Sequence, residues 1–208
     1  MTSIGPAGPA EVDAMAPRTT SGAKAAAGVS DHCGWAVVVC VANGEVLDRR
    51  RIELIAPGLP SLPHHHEGQL LPIGEAVALV ERVRTSAALC ARNALEALPA
   101  DVTAIAIRKR PTLPPTIAER ITNYRAQNAA DTVMYRDAIA DAAEALGWSV
   151  TEYDPRTVFH QAAETLGLDD ISDRLREIGE ALGPPWRKDH MLATAAAIVA
   201  SKRRAESR

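Results

Sequence analysis

Hydrophobic residues in the first part of the sequence are spaced as β-strands require. Three such segments follow one another, over residues 25–30, 35–41 and 45–55. The second, WAVVVCV, is almost wholly apolar and predicts a strand covered on both faces, whereas the third alternates charged and apolar side chains and predicts a half-exposed strand. Turn-forming residues at 31–34 and the pair Asn43-Gly44 separate the segments. The pattern therefore predicts an antiparallel meander of three strands.

Helical and strand patterns alternate after a loop rich in Pro and His at residues 56–72. Apolar residues recur at helical intervals, and two further apolar segments are typical of buried strands. The predicted helices cover residues 73–98, 116–124, 130–146, 155–166, 170–182 and 187–203, and the predicted strands cover residues 102–108 and 148–153. Because a helix between two strands implies a parallel crossover, the sequence predicts an α/β fold. Its five-stranded mixed sheet combines the antiparallel meander with two parallel strands and is flanked by helices.

Residues 1–23 differ from the rest of the chain, since they are rich in Gly, Pro, Ala, Ser and Thr and have no hydrophobic period. Such a segment cannot bury enough apolar surface to offset its chain entropy, so we expect a disordered tail. The whole sequence has 208 residues, of which 47% are hydrophobic and 24% charged, as in an ordinary soluble domain. We therefore expect one domain over residues 24–204 and a frayed C-terminus over 205–208.

Several classes of protein are disfavoured by the composition. No apolar run reaches the roughly 18 residues that span a bilayer, which argues against a membrane-spanning protein. The N-terminus lacks the charged start and following apolar stretch of a secretory signal, which argues against secretion. Three cysteines are an odd number without the spacing of a metal motif, which argues against a disulfide scaffold and favours a reducing cytoplasm. A net charge of -3 gives no global attraction for nucleic acid, which leaves only local clusters of positive charge to consider.

Three segments carry a resemblance to a known family. Residues 28–36 read GVSDHCGWA, residues 147–158 read GWSVTEYDPRTV, and Lys188-Asp189-His190 precedes an alanine-rich stretch. With the order of elements over residues 25–201, they resemble the ribonuclease H-like superfamily and, within it, the RuvC-type Holliday-junction resolvases. The first segment is similar to a strand that ends in a catalytic Asp, the second to the fifth strand with its following turn, and the third to an acidic residue opening the last helix.

The resemblance implies a two-metal nuclease site. Nucleases of this superfamily hold two divalent cations with three or four carboxylates, and Mg²⁺ or Mn²⁺ prefers such oxygen ligands. Asp31 and Asp189 are the candidate catalytic residues and metal ligands, with His190 a further catalytic candidate, and we expect both carboxylates in one cleft. The alternative is that Asp31 is an ordinary turn residue and that Asp189 is a first-turn acid stabilised by its helix dipole.

The end of the fourth strand departs from the family pattern. There the resemblance implies a second carboxylate, but the sequence has Arg108-Lys109-Arg110. The interaction energy between such a cation and a divalent metal ion at close range in a partly buried cleft is unfavourable, on the order of several kcal/mol. Substitute carboxylates are available in the sequence, although no spacing rule favours any of them: Glu119, Asp131 and Asp154. We therefore expect at most weak metal-dependent hydrolysis of phosphodiesters.

The same residues favour binding of nucleic acid. Five basic residues stand between positions 108 and 125 against the single acid Glu119, which gives this segment a local charge of +4. Such a cluster can bind phosphates, and an aromatic ring within it can stack a base. The candidate nucleic-acid-binding residues are Arg108, Lys109, Arg110, Arg120, Tyr124 and Arg125. DNA is favoured over RNA as the partner, and the alternative is a solvated loop of ordinary surface charge.

A second candidate metal site lies in the loop after the meander, where His64, His65 and His66 are adjacent. Neighbouring histidines can bind zinc or nickel, and His32 or His190 could complete the set, although the spaced ligand pairs of structural zinc sites are absent. One alternative is an exposed polar loop. Another is that one of these histidines acts as a general base, which requires a neighbouring carboxylate.

Two functional hypotheses remain at this stage. The first is a nucleic-acid-binding ribonuclease H-like domain related to resolvases, with an incomplete acidic site. The second is a non-catalytic interaction or structural domain that keeps the fold without the nuclease chemistry. Because resolvases of this family are dimers, the resemblance implies a homodimer under either hypothesis. A salt bridge from Arg108 to Asp31 or Asp189 would make the acidic site structural and catalysis improbable.

Overall fold

A five-stranded mixed sheet forms the centre of the fold in the computed structural model, which describes residues 24–99 and 101–206. The predicted tail over residues 1–23 and the last two residues of the chain lie outside this range. The strands are β1 (Ala25–His32), β2 (Trp35–Ala42), β3 (Glu45–Glu53), β4 (Val102–Arg108) and β5 (Ser149–Tyr153). Their order across the sheet is β3-β2-β1-β4-β5. The β1–β2 and β2–β3 pairs are antiparallel, and the β1–β4 and β4–β5 pairs are parallel, so the predicted architecture is confirmed.

Six α-helices are arranged on the two faces of this sheet in the described ranges, and a short 3-10 helix (Glu67–Leu70) precedes the first of them. They are α1 (Ile73–Glu96), α2 (Ile117–Thr122), α3 (Tyr124–Ala145), α4 (Val158–Leu166), α5 (Ser172–Leu182) and α6 (Lys188–Glu206). Helices α1 and α3 pack against each other and cover one face, while α6 crosses the other face with α4 beside it. None of the helices in the described ranges has both the length and the apolar character that crossing a bilayer requires.

The hairpin between β2 and β3 follows from local sequence. Asn43 and Gly44 both adopt positive φ angles, of 53° and 78°, which the tight turn of a twisted hairpin requires and which Asn and Gly tolerate best. The apolar residues of β2 are buried on both faces, as the continuous hydrophobic run predicts, whereas the charged residues of β3 are exposed or half-buried. It ends at Glu53, two residues before the predicted end.

The helix boundaries differ from the prediction by more than two residues in three places. Helix α3 begins at Tyr124, six residues before the predicted start, because the Asn123 side chain caps it by accepting the backbone N–H groups of Arg125 and Ala126. Helix α4 begins at Val158, three residues later than predicted. Helix α6 continues to Glu206, beyond the predicted end at residue 203 and into the segment predicted to fray.

Small residues bring α6 unusually close to the sheet. A Cβ atom at Gly28 would collide with the backbone of Ala193 and lie 2.5 Å from the backbone nitrogen of Ala197. The sheet residues around Gly28 that face α6 are also small, including Ala26, Ala104 and Ala106. Since so little side chain separates the two backbones, the first turn of α6 lies directly against the carboxyl end of β1.

Candidate functional site

The carboxyl end of β1 presents two neighbouring polar side chains to opposite faces of the sheet. Successive side chains of a strand alternate between faces, so Ser30 lies on the α6 face with Gly28, and Asp31 lies on the α1 and α3 face with Val29. Both residues are buried, with Asp31 only 3% exposed. The strand continues to His32, so Asp31 is a strand residue rather than part of the turn.

On the α6 face, Ser30 and His32 both contact Asp189 in the first turn of α6. The Ser30 hydroxyl donates to Asp189 Oδ1 at 2.7 Å, and His32 Nε2 lies 3.1 Å from the same oxygen. Burial raises the pKa of Asp189, but the hydrogen bonds from Ser30 and His32 outweigh it and leave the pKa below its usual value. Asp189 is therefore an ionised, partly buried carboxylate at neutral pH.

On the opposite face, Asp31 is neutralised by arginine. Arg136 Nε of α3 donates to Asp31 Oδ2 at 2.8 Å, and Arg136 Nη1 donates to the backbone oxygen of Lys109 at 2.9 Å. Arg108 Nε lies 3.6 Å from Asp31 Oδ1, which is an ion pair too long to be a hydrogen bond. The Asp31 carboxylate is thus held between two guanidinium groups.

Arg108 connects the two faces. Its Nη2 donates to the Ser30 hydroxyl at 2.8 Å, and that hydroxyl in turn donates to Asp189. Asp31 and Asp189 therefore belong to one network, joined through Arg108 and Ser30. The expected cleft has its two aspartates at the same edge of the sheet, but a guanidinium and a hydroxyl stand between them. The salt bridge from Arg108 to Asp31 is the arrangement expected of a structural site.

This donor set does not fit the divalent cations that the resemblance in sequence implies. Within residues 24–99 and 101–206, no three His, Cys, Asp or Glu side chains converge as ligands. The oxygens of Asp31 are directed at Arg136 and Arg108, and a third positive charge beside them is electrostatically unfavourable. The catalytic and metal-binding roles of Asp31 and Asp189 thus remain predictions from the resemblance, and we derive no reaction step through Mg²⁺ or Mn²⁺.

His190 and Cys33 flank the network without entering it. His190 Nδ1 accepts the backbone N–H of Arg187 at 3.2 Å, and burial, together with the charge of Arg49, lowers the His190 pKa. Burial and the nearby Asp131 and Asp31 raise the pKa of Cys33 to about 11, so its thiol is protonated at neutral pH. Cys33 is therefore a poor nucleophile.

The predicted basic cluster is divided in the fold. Arg110 is paired with Glu152 at 2.7 Å and with Asp137 at 3.0 Å, and Arg120 donates to the backbone oxygen of Pro114. Together with Arg108, these arginines serve internal contacts. The other three members of the cluster have exposed side chains: Lys109, Tyr124 and Arg125.

The histidine loop is anchored by a carboxylate from α3. His64 is 1% exposed, and its Nδ1 lies 2.8 Å from Asp131 Oδ1. Asp131 also accepts the backbone N–H groups of His64 and His65. His64 is thus buried rather than part of an exposed loop, whereas His66 is exposed. The neighbouring carboxylate that a general base requires is present, but the three histidines do not converge on one point with other ligands among the described residues.

The three carboxylates considered as substitutes for the missing acid have other partners. Glu119 forms a capping box with Thr116 at the start of α2, and Asp131 anchors the histidine loop. Asp154 pairs with Arg156 at 2.7 Å, and these hydrogen bonds lower the pKa of Asp154 to about 2.

Sequence reasoning missed two residues that organise the site, Ser30 and Arg136. Strand periodicity could have identified Ser30, because it shares a face with Gly28, where the glycine indicates close approach of another element. Arg136 lies in the middle of a helix, 105 residues from its partner Asp31, and no local signal marks it.

Comparison with solved structures places this fold. The chain is similar to Thermus thermophilus RuvC in complex with a Holliday junction substrate, with a TM-score of 0.50 and 16% sequence identity over 85% of this chain and 91% of that chain. A second Thermus thermophilus RuvC structure gives a TM-score of 0.48 and 16% identity over 88% of this chain and 96% of that chain. No family model and no curated protein sequence matches the chain. The protein therefore has the ribonuclease H-like fold of the RuvC type, as its sequence predicted.

Proposed function

We propose that this protein is a nucleic-acid-binding ribonuclease H-like domain that binds DNA and has at most weak metal-dependent nuclease activity. The observation that carries the proposal is the position of Arg108, whose guanidinium contacts both Ser30 and Asp31 at the end of β4. In a two-metal nuclease this region concentrates negative charge around cations. Here the protein supplies the positive charge itself, through an arginine that takes the place of the metal ions and does not activate water.

Further support comes from the fold and from the exposed cations. The RuvC structure that the chain resembles was solved with a Holliday junction, which is DNA. Lys109 directly follows β4, and its backbone is fixed by a hydrogen bond from its N–H to the Tyr153 oxygen at 2.9 Å and by Arg136. Its exposed side chain is thus held beside the network, where it can contact a phosphate. Arg125 and Tyr124 offer a second cation and a ring for stacking.

Gel-shift titration with a four-way DNA junction and a linear duplex tests the binding. We expect binding that weakens with salt, because phosphate contacts release counterions. Lys109→Ala should reduce the slope of log affinity against log salt by about 1, the value expected for one lost phosphate contact. Arg82→Ala is the matched control, since Arg82 is an exposed arginine of α1, on the face of the sheet opposite α6. No shift with either DNA at low salt would favour an interaction domain instead.

A cleavage assay with Mg²⁺ or Mn²⁺ tests the chemistry. We expect no cleavage that distinguishes the wild type from Asp31→Asn, because Asp31 is engaged by arginine. Efficient metal-dependent cleavage that disappears in Asp31→Asn, while a thermal unfolding curve shows that the variant is folded, would contradict the proposal and restore the two-metal mechanism.

A further inference from the structure

A cavity of about 450 Å³ lies beside the network, between the β2–β3 hairpin and the start of α6. This volume is in the range of small-molecule sites and can hold one nucleotide unit. Asp189 and His190 form one wall, and Trp35, Val37 and Pro185 give the cavity an apolar side. Its remaining lining residues are all arginines: Arg49, Arg50, Arg51 and Arg187.

Two of the four arginines are already engaged. Arg49 donates through both Nη atoms to backbone oxygens of residues 182–185, and so caps the end of α5. Arg50 is bound to Asp48 and to the backbone oxygen of Ala97. The Arg49 guanidinium contributes positive charge to the cavity, but its hydrogen-bonding capacity is largely used. The Arg50 guanidinium lies on the α1 and α3 face of the sheet, away from the cavity.

The other two arginines have donors to spare. Arg51 donates through Nε to Glu53, while its guanidinium carbon lies 4.0 Å from the centre of the Trp35 ring, and its Nη atoms bind nothing in the described part of the chain. The exposed side chain of Arg187 makes no hydrogen bond or ion pair there. Exposed guanidinium donors beside a cavity are typical of phosphate and carboxylate recognition.

His190 adds a donor that is already oriented. The residue is only 8% exposed, and its Nδ1 accepts the backbone N–H of Arg187. An imidazole that accepts through Nδ1 carries its hydrogen on Nε2. That Nε2 has no hydrogen-bond partner within residues 24–99 and 101–206, although His190 lines the cavity. This Nε2 retains access to solvent, so an acceptor that enters the cavity can replace a water molecule at it.

The one acid of the cavity does not reverse this charge balance. Asp189 Oδ1 is directed at Ser30 and His32, and Arg108 contacts the same serine. The guanidinium groups of Arg49, Arg51 and Arg187 and the amino end of the α6 dipole therefore face a single carboxylate that is already hydrogen-bonded.

We propose that this cavity binds the phosphate group of a nucleotide, with Arg51, Arg187 and His190 Nε2 as donors and with Val37 and Pro185 against the sugar. A nucleic-acid strand as the source of that phosphate rests on the proposed function, whereas binding of a free nucleotide does not. The shared chemistry is a phosphate monoester or diester next to an apolar wall.

Nuclear magnetic resonance titration of the full chain tests the site, with the indole N–H signal of Trp35 as the reporter. Because Arg51 stacks on that ring, a phosphate that draws Arg51 into the cavity shifts the signal. We expect saturable shifts with thymidine 5′-monophosphate and with inorganic phosphate, and none with thymidine. A 12-nucleotide single strand without terminal phosphates distinguishes a nucleic-acid strand from a free nucleotide as the ligand. Such a strand shifts the Trp35 signal only if an internal phosphodiester enters the cavity.

Arg187→Ala and Arg51→Ala should each weaken nucleotide binding at least tenfold, with Arg82→Ala as the matched control. Arg187 makes no internal side-chain contact in the described residues, so its variant should unfold at the wild-type temperature. No saturable shift with thymidine 5′-monophosphate, or equal binding by the wild type and Arg187→Ala, overturns the cavity proposal even if the junction DNA still binds. Nucleotide binding without any junction binding overturns the proposed function and leaves the cavity in place.

Discussion

The two faces of the sheet are packed in different ways. On the α6 face, alanines and Gly28 let the helix backbone approach the strands, and few large side chains lie between them. On the α1 and α3 face, the space between helix and sheet is filled by large buried side chains, including Leu95, Ile105, Tyr135 and Ile139. Strand β1 therefore has a helix close to its backbone on one face of the sheet and more distant helices on the other face.

This difference determines which residues meet at the end of β1. Because α6 lies close, two short side chains, Ser30 and Asp189, can bond directly at 2.7 Å. On the other face, Asp31 is reached only by the long side chain of Arg136 from α3. Packing distance, as well as strand alternation, thus assigns neighbouring residues of β1 to different partners.

The largest effect is expected from Gly28→Ala, which tests the close approach of α6. The added Cβ would meet helix backbone, which cannot move aside as a flexible side chain can. We expect the free energy of unfolding, measured by urea denaturation, to fall by more than about 3 kcal/mol, or folding to fail. Gly74→Ala in the first turn of α1 is the control. Its Cβ meets nothing within 4 Å, so stability should stay constant or rise by up to about 1 kcal/mol. A Gly28→Ala protein as stable as the wild type would show that α6 is not held this close.

Much of this fold is local in origin, and the sequence predicted that part well. The apolar run of β2 and the Asn43-Gly44 turn specify their structures through nearest neighbours alone. The Asn123 cap is local too, but α3 has few regularly spaced apolar residues at its start, so hydrophobic periodicity placed that start too late.

The site was less predictable because its partners are far apart in sequence. The buried His64 is hydrogen-bonded to a carboxylate 67 residues away, and Asp31 is paired with an arginine 105 residues away. A sequence motif that includes one aspartate also cannot show on which face of the strand its side chain lies, since a one-residue shift along the strand moves a side chain to the other face. Asp31 and its neighbour Ser30 differ in this way.

A smaller effect is expected from Arg136→Met, which tests the partner of Asp31. Arg136 and Asp31 side chains are 11% and 2% exposed, so the variant leaves a buried carboxylate with only the longer contact to Arg108. Breaking a buried pair in this way costs about 3 to 5 kcal/mol, and we expect the lower end because Arg108 remains. Urea denaturation measures the loss, and Arg156→Ala, which removes the surface pair between Asp154 and an arginine side chain that is 88% exposed, should cost much less.

The double variant Asp31→Asn with Arg136→Met completes this test. If the two residues form one interaction, the double variant should be more stable than the sum of the two single losses implies, by about 1 to 3 kcal/mol. Strictly additive losses would mean that Arg136 stabilises the fold only through its bond to Lys109.

The smallest effect compares one buried tyrosine on each face. Tyr153 faces α6 and donates to the Val29 oxygen at 2.6 Å, and Tyr135 on the other face donates to the Ser61 oxygen at 3.0 Å. Burial raises the pKa of both, that of Tyr153 to about 12 despite the opposing charge of Arg108. A raised folded-state pKa gives stability that is complete below the unfolded value of about 10 and is lost as pH rises toward 12. Tyr153→Phe should therefore be about 1 kcal/mol less stable than the wild type at pH 7, where it lacks the hydrogen bond.

Above pH 10 the difference in the free energy of unfolding between the wild type and Tyr153→Phe should narrow, because only the wild type loses stability through ionisation of Tyr153. Urea denaturation at pH 7, 9, 10 and 11 measures the difference, and taking it between variants cancels the buried thiols, which ionise in both proteins. Tyr135→Phe should behave in the same direction, while Tyr124→Phe, at a position that is 83% exposed, should follow the wild type at every pH. If the difference between the wild type and Tyr153→Phe alone stays constant to pH 11, Tyr153 ionises as easily in the folded as in the unfolded protein. The tightly packed α6 face would then open to solvent at high pH before the face covered by α1 and α3 does.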